Sequence, residues 1–135
     1  MSEVVVFDTS ILVDVLRTAR RLQEIESTSG FLRTSAVVLA ELWRGATKPS
    51  DREFVRTLGR RYPILTPTEK NWLESGQILE AIRSARGFAP EKLRDLHFDV
   101  LIALTALSHG ARLITANRRD FELIHGYCKF KLEVW

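Results

Sequence analysis

The sequence predicts an α/β fold, a three-layer α/β/α sandwich with a mostly parallel central sheet. Short apolar runs rich in β-branched residues alternate along the chain with longer segments of helical periodicity, and this alternation is typical of strand–helix–strand units. The first of these runs, Val4–Phe7, is apolar throughout, as expected for a strand that helices cover on both faces. A chain of 135 residues is long enough for one domain with a substantial core, and residues 1–135 are interpreted as that domain.

The first predicted strand leads into the first candidate functional residue. Val4–Phe7 is a run of four β-formers, and Asp8 follows it directly. Thr9 or Ser10 is placed to cap a helix over residues 11–17. Because ligands of open α/β sheets bind outside the carboxyl ends of the strands, this turn is a candidate binding site. The alternative is that Asp8 only caps the helix.

The next segment predicts a second strand and a third helix. A short amphipathic helix is expected over residues 20–29, and Gly30 ends it. A strand follows over residues 31–34. Ser35 is then placed to cap a helix over residues 36–46.

The helix over residues 36–46 carries the second candidate residue, Glu41. Glu41 shares a face with residues at helical spacing that are expected to point inward: Val37, Val38, Leu42 and Gly45. A carboxylate on a buried face must be paired, neutral or bound to a metal ion. A structural ion pair with Arg44 is the alternative interpretation.

The middle of the chain carries no candidate site residue. A helix is predicted over residues 50–61, a short strand over residues 63–65 and a long helix over residues 68–86. The apolar face of the long helix is predicted to consist of Trp72, Leu73, Gly76, Leu79 and Ile82. Trp72 is interpreted as a core or interface residue.

The most apolar helical segment, predicted over residues 91–109, carries the third candidate, Asp99. Asp99 lies on the same helical face as small and aliphatic residues: Ile102, Ala103 and Ala106. Asp95 lies one turn earlier among polar neighbours and is interpreted as a solvated or capping residue. His97 is interpreted as structural, because a single histidine without further ligands nearby rarely makes a metal site.

A strand predicted over residues 111–115 again ends in polar side chains, those of Thr115, Asn117 and Asp120. The alternative interpretation of this turn is structural, with Asn117 as a helix cap and Asp120 favourable in the first helical turn. Residues 130–135 alternate with charged residues and predict a terminal edge strand.

If the helices fold over the carboxyl edge of the sheet, four carboxylates meet there: Asp8, Glu41, Asp99 and Asp120. Several carboxylates at close range in a poorly solvated site cannot all stay ionised unless a cation removes the repulsion. Ligand sets made only of oxygen atoms favour Mg²⁺ or Mn²⁺ over zinc. Such an ion binds phosphate oxygens, activates water and stabilises a leaving oxygen, which suits phosphodiester hydrolysis.

The charge balance is compatible with a polyanionic partner without requiring one. The net charge is +3, the isoelectric point is about 9.4, and arginines outnumber lysines three to one among the 20 basic residues. Arginine binds phosphate in a forked geometry that lysine lacks. The alternative is a solvated surface in a protein from a G+C-rich genome. A bilayer-spanning run and a signal-peptide layout are both missing from the sequence, and the single Cys128 suits a reducing compartment, so a cytoplasmic protein without membrane association is expected.

Four motifs in this order resemble a PIN domain. In one-letter code they are VFDTS at residues 6–10, AELWRG at 40–45, DVLIA at 99–103 and TANRRDF at 115–121. The set is most similar to the VapC toxins of bacterial and archaeal toxin–antitoxin pairs, and the resemblance covers essentially the whole chain.

The resemblance implies a Mg²⁺- or Mn²⁺-dependent endoribonuclease toxin that a VapB-type antitoxin inhibits and that forms a homodimer. By position, the acidic residues of such a site are Asp8, Glu41, Asp99 and, after the last core strand, Asp120. The supporting hydrogen-bonding residues are Thr9, Ser10, Thr115 and Asn117. Asn117 departs from the family pattern, since many members carry an acid there, and this leaves open whether one or two metal ions bind.

Three other classes share parts of the pattern. A phosphatase of the haloacid-dehalogenase type also begins with a strand that ends in Asp, but it needs a second Asp where this chain has Ser10. A receiver domain needs an acidic pair before its first helix, which this sequence does not show. The third class is a PIN-like module that binds RNA or protein without cutting, and Asn117 keeps this alternative open.

Overall fold

The computed structural model describes residues 3–135, and these contain a five-stranded sheet in which every strand pairing is parallel. The strands are β1 (Val4–Phe7), β2 (Phe31–Ser35), β3 (Ile64–Leu65), β4 (Arg112–Thr115) and β5 (Lys131–Val134). Their order across the sheet is β3-β2-β1-β4-β5. The predicted parallel sheet is confirmed, and the last strand lies at an edge, as predicted.

Seven helices connect these strands in the described part of the chain. They are α1 (Thr9–Thr18), α2 (Leu22–Ser27), α3 (Ala36–Gly45), α4 (Pro49–Arg61), α5 (Glu69–Arg86), α6 (Pro90–Ser108) and α7 (Arg118–His125). Right-handed crossovers in opposite directions from β1 place α1–α4 on one face of the sheet and α5–α7 on the other. Accordingly, α3 packs on α1 and α4, whereas α6 packs on α5 and α7. The three-layer α/β/α sandwich is confirmed.

The centre of the sheet is also the point where the chain changes direction. From β1 the chain runs outward to β2 and β3, and it then returns to β4 on the other side of β1. In register, Val5 of β1 lies opposite Arg112 of β4, and Phe7 lies opposite Ile114. The carboxyl ends of β1 and β4 therefore flank a topological switch point, where open α/β sheets bind their ligands.

The turn after β1 differs from the prediction in one respect. The helix begins at Thr9, and its N-cap is Asp8, whose carboxylate accepts the backbone N–H of Ser10 at 3.4 Å. The prediction that Thr9 or Ser10 caps this helix is therefore wrong. A short carboxylate on an extended residue satisfies an N-cap, which leaves both hydroxyls for other partners.

Helix α6 passes through the centre of the core. Every residue from 100 to 106 is buried, because α6 contacts α3, α5, α7 and β4. Each large aliphatic side chain buried in this way contributes about 1.5–3 kcal/mol to folding. Asp99 lies at the edge of this apolar segment. Among residues 3–135, α6 included, no helix combines the length and apolar character needed to cross a bilayer.

The predicted inward face of α5 is displaced by about one residue. Trp72 is 53% exposed and Leu73 is 67% exposed, and Gly76 is exposed as well. Asn71 and Ser75 are buried in their place. Trp72 is therefore not a core residue, and its interpretation as an interface residue stays a prediction.

Hydrogen bonds to α6 explain why polar residues of α5 point inward. Asn71 Nδ2 donates to Ser108 Oγ at 3.0 Å, and Ser75 Oγ lies 3.0 Å from His97 Nε2. Buried polar groups that find partners in this way cost little, so the pairing overrides the apolar pattern. Burial lowers the pKa of His97, which contacts α5 rather than the edge where the candidate residues lie.

Candidate metal centre

Three carboxylates from three separate elements meet at the switch point. Asp8, Glu41 and Asp99 each offer an oxygen, and these oxygens lie within 4.8 Å of one another. Asp8 follows β1, Glu41 lies in α3 and Asp99 lies in α6. The two helices belong to opposite layers and contact each other. The structure thus brings together three of the four acidic residues that the sequence suggested.

Asp8 is 3% exposed and is held by hydroxyl groups from two neighbouring segments. Its Oδ2 accepts a hydrogen bond from Ser10 Oγ at 2.8 Å and another from Thr115 Oγ1 at 2.8 Å. The N-cap bond from the Ser10 N–H also ends on Oδ2. Oδ1 is therefore the oxygen that stays available for a cation.

Backbone donors from the turn after β4 orient both hydroxyls. The N–H of Ala116 donates to Ser10 Oγ at 3.0 Å, and the N–H of Asn117 donates to Thr115 Oγ1 at 2.9 Å. Because each hydroxyl accepts a backbone proton, its own proton is directed at Asp8. Ser10 and Thr115 therefore fix the orientation of one carboxylate.

Glu41 is positioned by the first residue of α1. Thr9 Oγ1 donates to Glu41 Oε1 at 2.7 Å, which ties α1 to α3. Burial raises the pKa of Glu41, the Thr9 bond lowers it, the charge of Asp8 raises it and the charge of Arg44 lowers it, with a net rise. Arg44 lies one turn further along α3, and its guanidinium stands 5.1 Å from the centroid of the Phe98 ring.

All three carboxyl groups are harder to ionise than usual. Burial raises the pKa of Asp8 in spite of its hydrogen bonds. Burial, together with the charges of Asp8, Glu41 and Asp120, raises the pKa of Asp99 to about 8, although the charge of Lys92 lowers it. Carboxylates this close repel one another unless they are protonated or a cation lies between them. A set of three carboxylates without histidine or cysteine fits a hard divalent cation.

Asp120 lies on another wall and is not among the three carboxylates that share the 4.8 Å group. Lys92 Nζ stands 2.9 Å from its Oδ1, and Asn117 Nδ2 donates to its Oδ2 at 3.2 Å. Asn117 also caps α7 by accepting the N–H of Asp120 at 3.4 Å. Asn117 therefore caps a helix, as the alternative interpretation proposed, and both carboxylate oxygens of Asp120 have hydrogen-bond partners.

The acids line a cavity of about 300 Å³. Its walls are formed by Asp8, Thr9, Ser10, Glu41, Arg44, Asp95, Phe98, Asp99, Asn117 and Asp120. Asp95 is exposed, in keeping with its interpretation as solvated, but it lies on the cavity wall.

Sequence reasoning assigned no role to Phe98 or Lys92. Lys92 precedes Asp99 by seven residues, about two helical turns, and this spacing was the available signal that the two share a face.

Comparison with solved structures identifies the same fold in bacterial complexes. VapBC2 from Rickettsia felis, bound to a DNA fragment from its promoter, gives a TM-score of 0.70 at 22% identity, covering 98% of this chain and 98% of that chain. DNA-bound VapBC from Salmonella typhimurium gives 0.68 at 24% identity, with coverage of 100% and 99%. VapBC-1 from nontypeable Haemophilus influenzae gives 0.71 at 22% identity, with coverage of 98% and 98%. No curated protein sequence matches the chain.

A family comparison matches most of the chain. The family model described as the PIN domain covers residues 5–126. That span runs from β1 to the end of α7 and includes all four acidic positions of the predicted site. The resemblance seen in the motifs is thereby confirmed, and the chain belongs to the PIN domain family.

Proposed function

We propose that the protein is a Mg²⁺- or Mn²⁺-dependent endoribonuclease and the toxin of a VapBC-type toxin–antitoxin pair. The observation that carries the proposal is the meeting of Asp8, Glu41 and Asp99 within 4.8 Å at the switch point of the sheet. Membership of the PIN domain family and the likeness in fold to VapBC complexes support it.

In this proposal, Asp8, Glu41 and Asp99 hold the cation. The hydroxyl groups that orient these carboxylates belong to Thr9, Ser10 and Thr115. Asp120 supplies a fourth carboxylate from the neighbouring wall, and Asn117 orients it through the bond to Oδ2. Oriented ligands cost less to assemble around an ion than mobile ones, so these bonds raise metal affinity.

The chemistry combines the bound ion with groups of the cavity. When bound, Mg²⁺ or Mn²⁺ supplies Lewis-acid activation of water and neutralises charge that grows on the phosphate. Arg44 is the arginine on the cavity wall and binds a phosphate oxygen of the RNA. Its stacking on Phe98 holds the guanidinium in place.

The direct test is cleavage of RNA with titrated Mg²⁺ or Mn²⁺. We expect cleavage that stops on chelation and is lost in Asp8→Asn and Asp99→Asn. Circular dichroism checks that both variants are folded. Equal activity of the variants and the wild type would refute the metal site.

A growth assay tests the toxin part of the proposal. Expression of the wild type alone should arrest growth, and Glu41→Gln should relieve the arrest. Normal growth with well-folded wild type, in a host whose RNA the purified protein cleaves, would contradict a role as a toxin.

The second candidate function is a PIN-like module that binds RNA or protein without cutting. The pairing of Asp120 with Lys92 favours it, because this pairing and Asn117 together reduce the negative charge available to a second ion. RNA binding without cleavage at every metal concentration would establish this alternative.

The proposed antitoxin needs a docking surface, and an apolar groove of about 170 Å³ between α1, α2 and α4 offers one. Arg33 and Arg61 are part of its lining, which favours an occupant with acidic side chains beside apolar ones. Co-expression with the product of a small neighbouring gene tests this partner. Leu22→Glu in the groove should abolish co-purification, whereas Leu73→Glu on α5 should not.

The proposal also includes a homodimer and a cytoplasmic location. Sedimentation equilibrium of the purified protein, with and without the antitoxin, measures the oligomeric state. A mass equal to one chain at micromolar concentration would contradict the homodimer.

A further inference from the structure

A second cleft lies beside the acidic cavity and shares Asp120 with it. Its volume is about 410 Å³, within the range of about 300–1,000 Å³ that is common for ligand sites. Three cations line it: Arg86 at the end of α5, Lys92 in the first turns of α6 and Arg119 in α7. We call it the basic cleft.

The charge of the basic cleft is only partly neutralised. Within residues 3–135, neither Arg86 nor Arg119 has a carboxylate oxygen within 4.0 Å. Both residues are exposed. Glu122, which also lines the cleft, is held at 2.8 Å by Arg118. Two guanidinium groups are therefore free to bind an anion.

Two apolar side chains also line the basic cleft. Phe88 and Leu123 line it and pack against the core. Single-stranded nucleic acid binds where cations track the phosphates and apolar or aromatic side chains lie beneath the bases. The cleft combines both features in one place.

The ion pair of Lys92 and Asp120, 2.9 Å long, lies where the basic cleft and the acidic cavity adjoin. If a phosphodiester lies beside Asp8, Glu41 and Asp99, the next phosphates of the same strand must leave a cavity whose walls repel them. Cations lower that repulsion, and the basic cleft offers them at the Asp120 side of the cavity.

We propose that the basic cleft binds phosphates of single-stranded RNA on one side of the bond to be cut. This inference rests on the proposed nuclease function and assigns Arg86 and Arg119 as its substrate-binding residues. An acidic protein segment would also be attracted to these charges, but RNA is favoured because the cleft shares Asp120 with the cavity that receives the phosphodiester and therefore lies beside it.

The test measures RNA binding separately from cleavage. The full chain carrying Asp99→Asn is titrated into a fluorescein-labelled single-stranded RNA of mixed sequence, about a dozen nucleotides long, and anisotropy gives Kd. Arg86→Gln with Arg119→Gln is added to this background. We expect Kd to rise by about tenfold or more. Each phosphate contact on a single strand contributes about 0.7 to the slope of log K against log salt, so the slope should fall by about 1.4.

The matched control removes the same charge from the opposite edge of the sheet. Helices α1 and α7 begin at the carboxyl edge, so Arg20 and Lys129, which follow their ends, lie toward the amino edge. Arg20→Gln with Lys129→Gln should change Kd by less than about twofold, with the salt slope unaltered, because neither cation meets the RNA phosphates. Equal losses in the two double variants, no loss in the cleft variant, or no RNA binding by the parent would overturn the inference.

Two further measurements distinguish this inference from binding of an acidic protein segment and from the nuclease proposal itself. If polyglutamate displaces the RNA at equal charge concentration, the basic cleft belongs to an acidic protein segment and the inference fails. If the wild type cleaves no RNA with Mn²⁺ but RNA binding still depends on Arg86 and Arg119, the nuclease proposal fails and the assignment of the cleft stands.

Discussion

Asp8 and Asp51 both stand at the start of a helix and accept backbone hydrogen bonds there, yet their carboxyl groups respond to the protein in opposite directions. Asp51 lies in solvent, and bonds from the N–H groups of Thr47 at 3.0 Å and Lys48 at 3.1 Å lower its pKa. Asp8 accepts a capping bond and two hydroxyl bonds, but burial outweighs them and raises its pKa. Capping is common to both residues, so burial beside other carboxylates is what distinguishes a candidate metal ligand.

The largest expected effect is on the rate of RNA cleavage, which should depend on a buried carboxylate of the cluster but not on the exposed Asp51. Asp99→Asn keeps the shape of the side chain but removes a ligand charge, so the rate of RNA cleavage should fall by at least about 10²–10³-fold, the range for losing one preorganised electrostatic contact. Asp51→Asn removes an exposed carboxylate and should keep the wild-type rate. Initial rates at saturating Mn²⁺ measure both. Similar losses of cleavage rate in the two variants would contradict the assignment of Asp99 as a metal ligand.

The free energy of unfolding should depend on pH because the buried carboxyl groups, unlike that of Asp51, have raised pKa values. The pKa of Asp99 is about 8 in the folded protein against 3.8 ordinarily, so between those values the folded state holds a proton that the unfolded state has lost. In the presence of a chelator, the free energy of unfolding should therefore fall as the pH rises from about 4 to about 8, by up to about 1.4 kcal/mol per pH unit. Urea denaturation at several pH values measures it.

The control for this profile is Asp99→Asn, which cannot take up the proton. Its stability should change less over the same range, although Asp8 and Glu41 still titrate in the same direction. A wild-type stability that rises between pH 5 and 8 without metal would contradict the raised pKa of Asp99.

A smaller effect is expected from the hydroxyl groups that orient Asp8. Thr115→Val keeps the volume of the side chain but removes the donor to Oδ2, so Mn²⁺ affinity should fall by about 10–100-fold, the usual cost of losing a group that orients a metal ligand. Isothermal titration calorimetry measures it. Thr105→Val, which removes a buried hydroxyl bonded to the backbone of its own helix, is the matched control. Equal losses would point to packing rather than orientation.

The smallest effect should come from Asp51 itself. Asp51→Ala removes the acceptor for the backbone groups of Thr47 and Lys48, so the melting temperature should fall while Mn²⁺ affinity stays unchanged. Differential scanning fluorimetry with and without Mn²⁺ tests both parts. A change in Mn²⁺ affinity would show that the two carboxylates are less distinct than the structure indicates.

Much of the fold could be predicted because its signals are local. The strand before Asp8, the cap at Ser35 and the break at Gly110 depend on a few adjacent residues. The inward face of α5 could not be read from residues 69–86 alone. Asn71 and Ser75 are buried because partners on α6 satisfy them, and those partners lie far along the chain.

The sequence by itself determined the alternation of strands and helices, the PIN family motifs and the identity of the acidic candidates, since these depend on residue type and short-range spacing. Only the tertiary structure decided that Asp8, Glu41 and Asp99 share one small volume while Asp120 pairs with Lys92. The physical reason is that distances between charges on different elements follow from how helices pack across the sheet. Burial and Coulomb repulsion act over those distances and not along the chain.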